Sequence, residues 1–154
     1  MDVTEEKAIR LRKYIEKLIH RFMIVQNRFL EKSAANLSNT ELRIINFIGE
    51  QQRCIMREIS DHLMIQKNNL TAIMDKLVHK EIVERERTDT DRRVVYVRLT
   101  EKGGVLYAQI TDSYQELSRG MLNALPPEEH DYVLATLHKI TEKLHLGDDA
   151  EKNN

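Results

Sequence analysis

The sequence predicts a mainly α-helical protein, a winged helix-turn-helix with a two-stranded β-hairpin wing and a helical dimerisation region. Three observations carry this. Two short amphipathic segments, Met56–Leu63 and Lys67–Lys80, are separated only by Met64-Ile65-Gln66, which is helix-turn-helix spacing. Two alternating runs follow, Val83–Arg87 and Val95–Leu99, around the short polar stretch Thr88–Arg93, the pattern of a β-hairpin. The remainder has few chain breakers: five Gly and two Pro in 154 residues, with 41% apolar and 32% charged residues. That composition suits long helices around one sizeable core and disfavours a turn-rich β-sandwich.

The elements follow in order. Glu5–Leu30 reads as a helix capped by Thr4, with Glu5 and Glu6 at the positive end of its dipole. Ile15, Leu18, Phe22, Val25 and Phe29 recur every three or four residues, and Ile19, Met23, Ile24 and Leu30 widen that stripe. So broad an apolar face calls for a second chain. Ser38-Asn39-Thr40-Glu41 is a capping box opening a helix with Leu42, Ile45 and Ile48 that ends near Gly49. Ile59, Leu63, Ile65, Leu70, Ile73 and Leu77 are spaced to share one small core. The hairpin tip lacks Gly, which argues against a two-residue primed turn. Thr100 caps a helix whose stripe is Leu106, Ile110, Tyr114, Leu117 and Met121, and Pro126-Pro127 end it. The last helix carries Val133, Leu137, Ile140 and Leu144 at heptad positions, a seam for another helix. The expected division is a dimerisation helix over 1–37, a winged helix-turn-helix lobe over 38–100, dimerisation helices over 101–146 and a disordered tail over 147–154.

Several classes are disfavoured. The single cysteine, Cys54, cannot form an internal disulfide and is expected to be a buried, inert thiol. Met1–Glu6 is acidic and unlike a signal peptide, and no apolar run approaches membrane-span length, so a cytoplasmic location is expected. His20, His62, His79, His130, His138 and His145 show no tight ligand spacing, and no metal or cofactor is expected. The chain has no phosphate-binding glycine loop, nucleophile turn or Cys/His pair at useful spacing, so it does not read as an enzyme. The net charge of −1 is unevenly distributed: residues 1–37 and 67–98 are net positive and 126–154 net negative. Local balance governs binding to a polyanion, so a basic surface is compatible with the near-neutral total.

In a helix-turn-helix the second helix lies in the major groove and offers its first turns to base edges. Here those positions are Lys67, Asn68, Asn69 and Thr71, with Leu70 and Ile73 turned inward. An asparagine amide can pair bidentately with adenine, and threonine can meet a base edge or a thymine methyl. Arg85, Arg87 and Arg98 are candidates for phosphate contact, while Glu84 and Glu86 mark part of the hairpin as a solvated strand pair.

Asp91-Arg92-Arg93, the strand Val95–Leu99, and Leu99-Thr100-Glu101-Lys102-Gly103 opening a helix resemble the wing of the multiple antibiotic resistance regulator (MarR) family of transcription factors. Leu37-Ser38-Asn39-Thr40-Glu41 resembles the start of that family's second helix, and the resemblance runs along about the whole chain. It implies a sequence-specific regulator of double-stranded DNA, a homodimer on a pseudo-palindromic operator, repressing by blocking polymerase. It also implies that Arg93 enters the minor groove, that Asp91 holds it, and that Arg92 faces phosphate. Three positions depart from the family pattern. Met64 stands where most members carry Gly or a small residue, Gln66 replaces the usual Ser cap, and Ala72 takes the place of a basic residue. A left-handed turn costs a non-glycine residue about 1–2 kcal/mol, so another turn geometry is expected at Met64.

The dimer interface is expected at Ile15, Leu18 and Phe22 of the first helix and Val133, Leu137, Ile140 and Leu144 of the last, with the intervening long helix contributing. The resemblance further implies a small aromatic or phenolic effector between these helices and the lobe, with Tyr14, His20, Arg21, Phe47 and Tyr107 as its lining. The alternative is a winged-helix protein–protein interaction module without specific DNA binding. Arg93 with Asn68 and Asn69 discriminates the two, because such a module needs no charged wing tip beside a polar first turn.

Overall fold

A computed structural model describes residues 3–87 and 95–148. The elements are α1 (Val3–Lys32), α2 (Asn39–Gln51), β1 (Cys54–Ile55), α3 (Met56–Leu63), α4 (Lys67–His79), β2 (Val83–Arg87), β3 (Val95–Leu99), α5 (Glu101–Asn123) and α6 (Pro127–Asp148). The fold is mainly helical, with one three-stranded antiparallel sheet ordered β1-β3-β2. The chain divides into two compact units, one running to Tyr114 and the other starting at Gln115.

In the first unit the apolar periodicities converge. Leu42, Ile44, Ile45 and Ile48 of α2 are fully buried, as are Ile59 of α3, Leu70, Met74 and Leu77 of α4, Val97 of β3 and Ile110 of α5. Burying each such side chain is worth about 1.5–3 kcal/mol, so this cluster holds the lobe together. The capping box at α2 is formed: the Glu41 N–H donates to Ser38 Oγ at 3.1 Å, and the Ser38 N–H to Glu41 Oε2 at 2.7 Å. The strand β1 has only two residues, too few to show a period; Cys54 pairs with Val97 and Ile55 with Tyr96. Helix ends differ from expectation by a few residues: α1 extends to Lys32, α2 continues past Gly49 to Gln51, and α4 stops at His79.

The turn between α3 and α4 corrects one expectation. Met64 is left-handed after all, with φ 54° and ψ 41°. Its N–H donates to Ser60 O, the Ile65 N–H reaches Ser60 O at 3.1 Å, and Ser60 Oγ donates to Ile65 O at 2.8 Å. These bonds close the turn against a backbone cost of about 1–2 kcal/mol. Asn36, Gln52 and Glu81 also have positive φ, and no described glycine does.

Glycine serves close packing instead. A Cβ on Gly103 would lie 2.1 Å from Ile82 O, and one on Gly49 would lie 2.5 Å from the Tyr107 ring. This explains the Leu-Thr-X-X-Gly pattern physically. Thr100 Oγ1 accepts the Gly103 N–H at 3.1 Å and donates to Glu81 O at 2.6 Å, while the Thr100 N–H donates to Ile82 O at 3.0 Å. One threonine thus caps α5 and ties it to the chain entering β2, and only a residue without Cβ fits against that carbonyl.

In the second unit, Pro127 takes the first position of α6, where its missing N–H costs nothing. The His130 Nε2 lies 2.8 Å from Leu122 O and 3.2 Å from Leu125 O, close to carbonyls at the end of α5 and just beyond it. The helix α6 continues through Gly147 to Asp148, further than the expected boundary at 146.

Candidate nucleic-acid interface

The α3–α4 pair presents a polar surface because its apolar side is committed to the core. Leu70, Met74 and Leu77 are fully buried, which leaves Lys67, Asn68, Asn69, Thr71 and Ala72 exposed on the other side of α4. Gln66 caps the helix in an extended conformation (φ −60°, ψ 139°) without a side-chain bond. The Gln66 side chain therefore leaves the N-terminal N–H groups of α4 uncapped, and such groups favour an anion or a hydrogen-bond acceptor. Thr71 Oγ1 donates to Lys67 O at 3.0 Å, leaving its methyl and lone pairs for an outside partner.

On the hairpin, β2 and β3 pair from Val83↔Leu99 to Arg87↔Val95. Asp91, Arg92 and Arg93 lie outside the described residues. Arg85 is drawn toward α4, its Nη2 2.6 Å from Asp75 Oδ1, and Arg98 Nε sits 2.7 Å from Glu84 Oε1 across the ladder. Arg87 is exposed at the end of β2 nearest the tip. The hairpin's charge is therefore partly cancelled by its own carboxylates.

Sequence reasoning missed Arg53, whose guanidinium carbon lies 4.1 Å from the centroid of the Tyr96 ring. The stack depends on β1 pairing with β3, and a two-residue strand leaves no pattern from which to find it.

The five residues expected to line an effector pocket occupy separate places in the single chain. Tyr14, His20 and Arg21 are exposed on α1. Phe47 is buried at 8% exposure, with its ring 4.6 Å from that of His62. Tyr107 is half-buried against Gly49. His20 and Arg21 line an open hollow of about 740 Å³ along α1 with Lys13, Glu16, Lys17 and Ile24, and another of about 590 Å³ is lined by Lys32, Ser33, Ala35, Lys102, Leu106 and Gln109 among others.

The residues expected at a dimer interface stand outward. Ile15, Leu18 and Phe22 are 38–46% exposed on α1, beside Leu11, Ile19 and Met23. In the second unit Leu137 and Ile140 are 53% and 42% exposed and Val133 is half-buried; the Leu144 side chain lies outside the described residues. Among the described residues no helix is long and apolar enough to cross a membrane.

Two short helices at a tight turn, a polar outward face on the second, and a hairpin directly behind it define a winged-helix protein of the DNA-reading class. The MarR family model matches residues 37–95 of this chain. The regulator MhqR of Bacillus subtilis (strain 168) is 26% identical over 136 residues, which cover 88% of this chain and 92% of that protein. Among solved structures, Streptococcus pneumoniae FabT in complex with DNA superposes with a TM-score of 0.78 at 22% identity, covering 90% of this chain and 97% of that one. NadR in complex with 4-hydroxyphenylacetate gives 0.63 at 24% identity, covering 86% and 89%. At these identities the structural likenesses speak for the fold.

Proposed function

We infer that this DNA-binding transcriptional regulator acts in the cytoplasm as a homodimeric repressor that reads a pseudo-palindromic operator and answers to a small ligand. The observation that carries the reading is the exposed polar start of α4, Lys67, Asn68, Asn69 and Thr71, directly followed in the chain by the hairpin. Those four side chains serve the major groove. Asp91 and Arg93 serve the minor groove, where a guanidinium meets the strongly negative potential of A·T-rich DNA. Arg92, Arg87, Arg85 and Arg98 serve the phosphates, with Arg85 and Arg98 doing so only as their ion pairs rearrange or share their charge.

Dimerisation is supported by the outward apolar faces of α1 and α6. Two-fold symmetry then sets the half-sites about 10–10.5 bp apart. A repressor seated over such a site excludes polymerase. The ligand is a small aromatic or phenolic compound, in keeping with the 4-hydroxyphenylacetate held by NadR. It can shift the equilibrium between two lobe spacings only by its differential affinity for them. Tyr14, His20, Arg21, Phe47 and Tyr107 remain its proposed lining, completed in the dimer.

The test compares two variants on a selected site and on scrambled DNA. Arg93→Ala is expected to weaken binding to both by a similar factor. Asn69→Ala is expected to weaken the selected site chiefly and so relax sequence preference. Equal and negligible effects on the two DNAs would rule out the docking, and with it the choice of DNA over a protein partner.

A further inference from the structure

We propose that Met64 is a specificity-determining residue whose thioether packs against a thymine methyl group beside the bases read by the first turn of α4. The proposal rests on the DNA-binding reading above. Met64 is 93% exposed, more than any other large apolar side chain among the described residues, and the next, Tyr132, is 75% exposed. Its left-handed backbone is closed by the Ser60 and Ile65 hydrogen bonds, so the side chain projects from a fixed turn and has no core to fold into. Its neighbour Ile65 is half-buried in the packing beneath.

Two unfavourable features therefore coincide at one position: a non-glycine residue in the left-handed region and a long apolar side chain in water. Glycine would remove both. Observed strain of this kind points from the outlier to a use. The position suggests the use, because Met64 stands three residues before Lys67, next to the uncapped start of the reading helix. An unbranched, polarisable side chain with three rotatable bonds can follow an irregular apolar surface. In the major groove the apolar feature that carries sequence information is the C5-methyl of thymine.

The experiment uses the full chain with Met64→Gly, Met64→Leu and Met64→Gln, and the duplex recovered by random-site selection. In a second set of duplexes each thymine is replaced in turn by deoxyuridine, which removes only the methyl group. Met64→Gly should fold at least as well as the parent and bind the selected duplex about tenfold more weakly. The dependence of affinity on salt should not change, because no phosphate charge is involved. Leucine should retain binding within about twofold and glutamine should not. At one thymine per half-site, deoxyuridine should weaken the parent by about fourfold, the equivalent of one buried methyl group, and leave Met64→Gly unaffected.

If every deoxyuridine substitution acts equally on the parent and on Met64→Gly, or if Met64→Gly binds like the parent, the assignment is wrong while the DNA-binding reading stands. A parent that binds no duplex at low salt would instead overturn the reading itself.

Discussion

Lys80 and Glu41 form the most shielded ion pair among the described residues. Nζ lies 3.0 Å from Oε1, and the side chains are 28% and 8% exposed. The same ammonium donates to Asn36 O at 2.8 Å, and the other carboxylate oxygen accepts the Ser38 N–H. Lys80 thus ties the end of α4 both to the loop before α2, through Asn36 O, and to the first turn of α2, through Glu41. Burial alone would push the Glu41 carboxyl up, but the Ser38 N–H and the Lys80 ammonium outweigh it and hold the group below its ordinary value of 4.5.

The sign of the pH dependence follows. A carboxyl whose folded value is depressed stabilises the fold above its unfolded value, and the contribution is lost as pH falls through the folded value. Glu41→Gln is expected to destabilise the protein by about 1–3 kcal/mol at neutral pH. Urea unfolding of parent and variant from pH 7 downward should show the gap closing below 4.5. A gap of constant size down to strongly acid pH would mean that the charge on Glu41 is not what stabilises the junction.

Two adjacent glycines should respond in opposite directions. Gly103→Ala drives a Cβ into the Ile82 carbonyl and should cost about 3 kcal/mol, the upper part of the usual range for overpacking. Nothing lies within 4 Å of a Cβ on Gly104, so Gly104→Ala should stabilise the helix by about 1 kcal/mol. Thermal unfolding of the two variants checks this, and a stable Gly103→Ala would contradict the close approach.

How much of this could be read from the sequence depended on the range of the interaction. The capping box at Ser38 and Glu41 is local, as is the threonine cap of α5, and both were legible from four or five residues. The core positions were legible because helical periodicity records which side faces inward. By contrast, the Glu41–Lys80 pair joins residues 39 positions apart, and no local pattern reveals it. The left-handed turn at Met64 was obscured although the Ser60 bonds that sustain it are local, because the propensity of a non-glycine residue argues against that backbone region. The exposed polar start of α4 was predictable from the inward spacing of Leu70, Ile73 and Leu77, although the structure buries Met74 fully and Ile73 only in part. The ion pairs of Arg85 and Arg98 were not, since they depend on strand register and on the packing of α4 against β2.

Cys54 is 1% exposed, and its thiol is pushed up to about 11 by burial, with the nearby Glu58 charge adding to the effect. The nucleophile is the thiolate, so the native protein should be almost inert to a thiol reagent at pH 8. One thiol should react promptly once the chain is unfolded in guanidinium. Rapid native-state labelling would contradict the buried position of β1.

The apolar side chains left outward on α1 and α6 give a prediction about assembly. Leu18→Glu and Leu137→Glu alter side chains that are 45% and 53% exposed in the single chain, so each variant should keep its helical content. Each should shift the sedimenting species from dimer toward monomer and weaken operator binding by at least about tenfold, since one subunit holds only one half-site. Unchanged sedimentation of both variants would place the interface elsewhere.

The most direct test of the central claim is a fluorescence-anisotropy titration of a random-site duplex pool at two salt concentrations, with sequencing of the bound fraction. A two-fold symmetric, sequence-specific regulator predicts an enriched palindrome with half-sites about one helical turn apart and an affinity that falls steeply as salt rises. Binding without enrichment, or no binding at low salt, would contradict it.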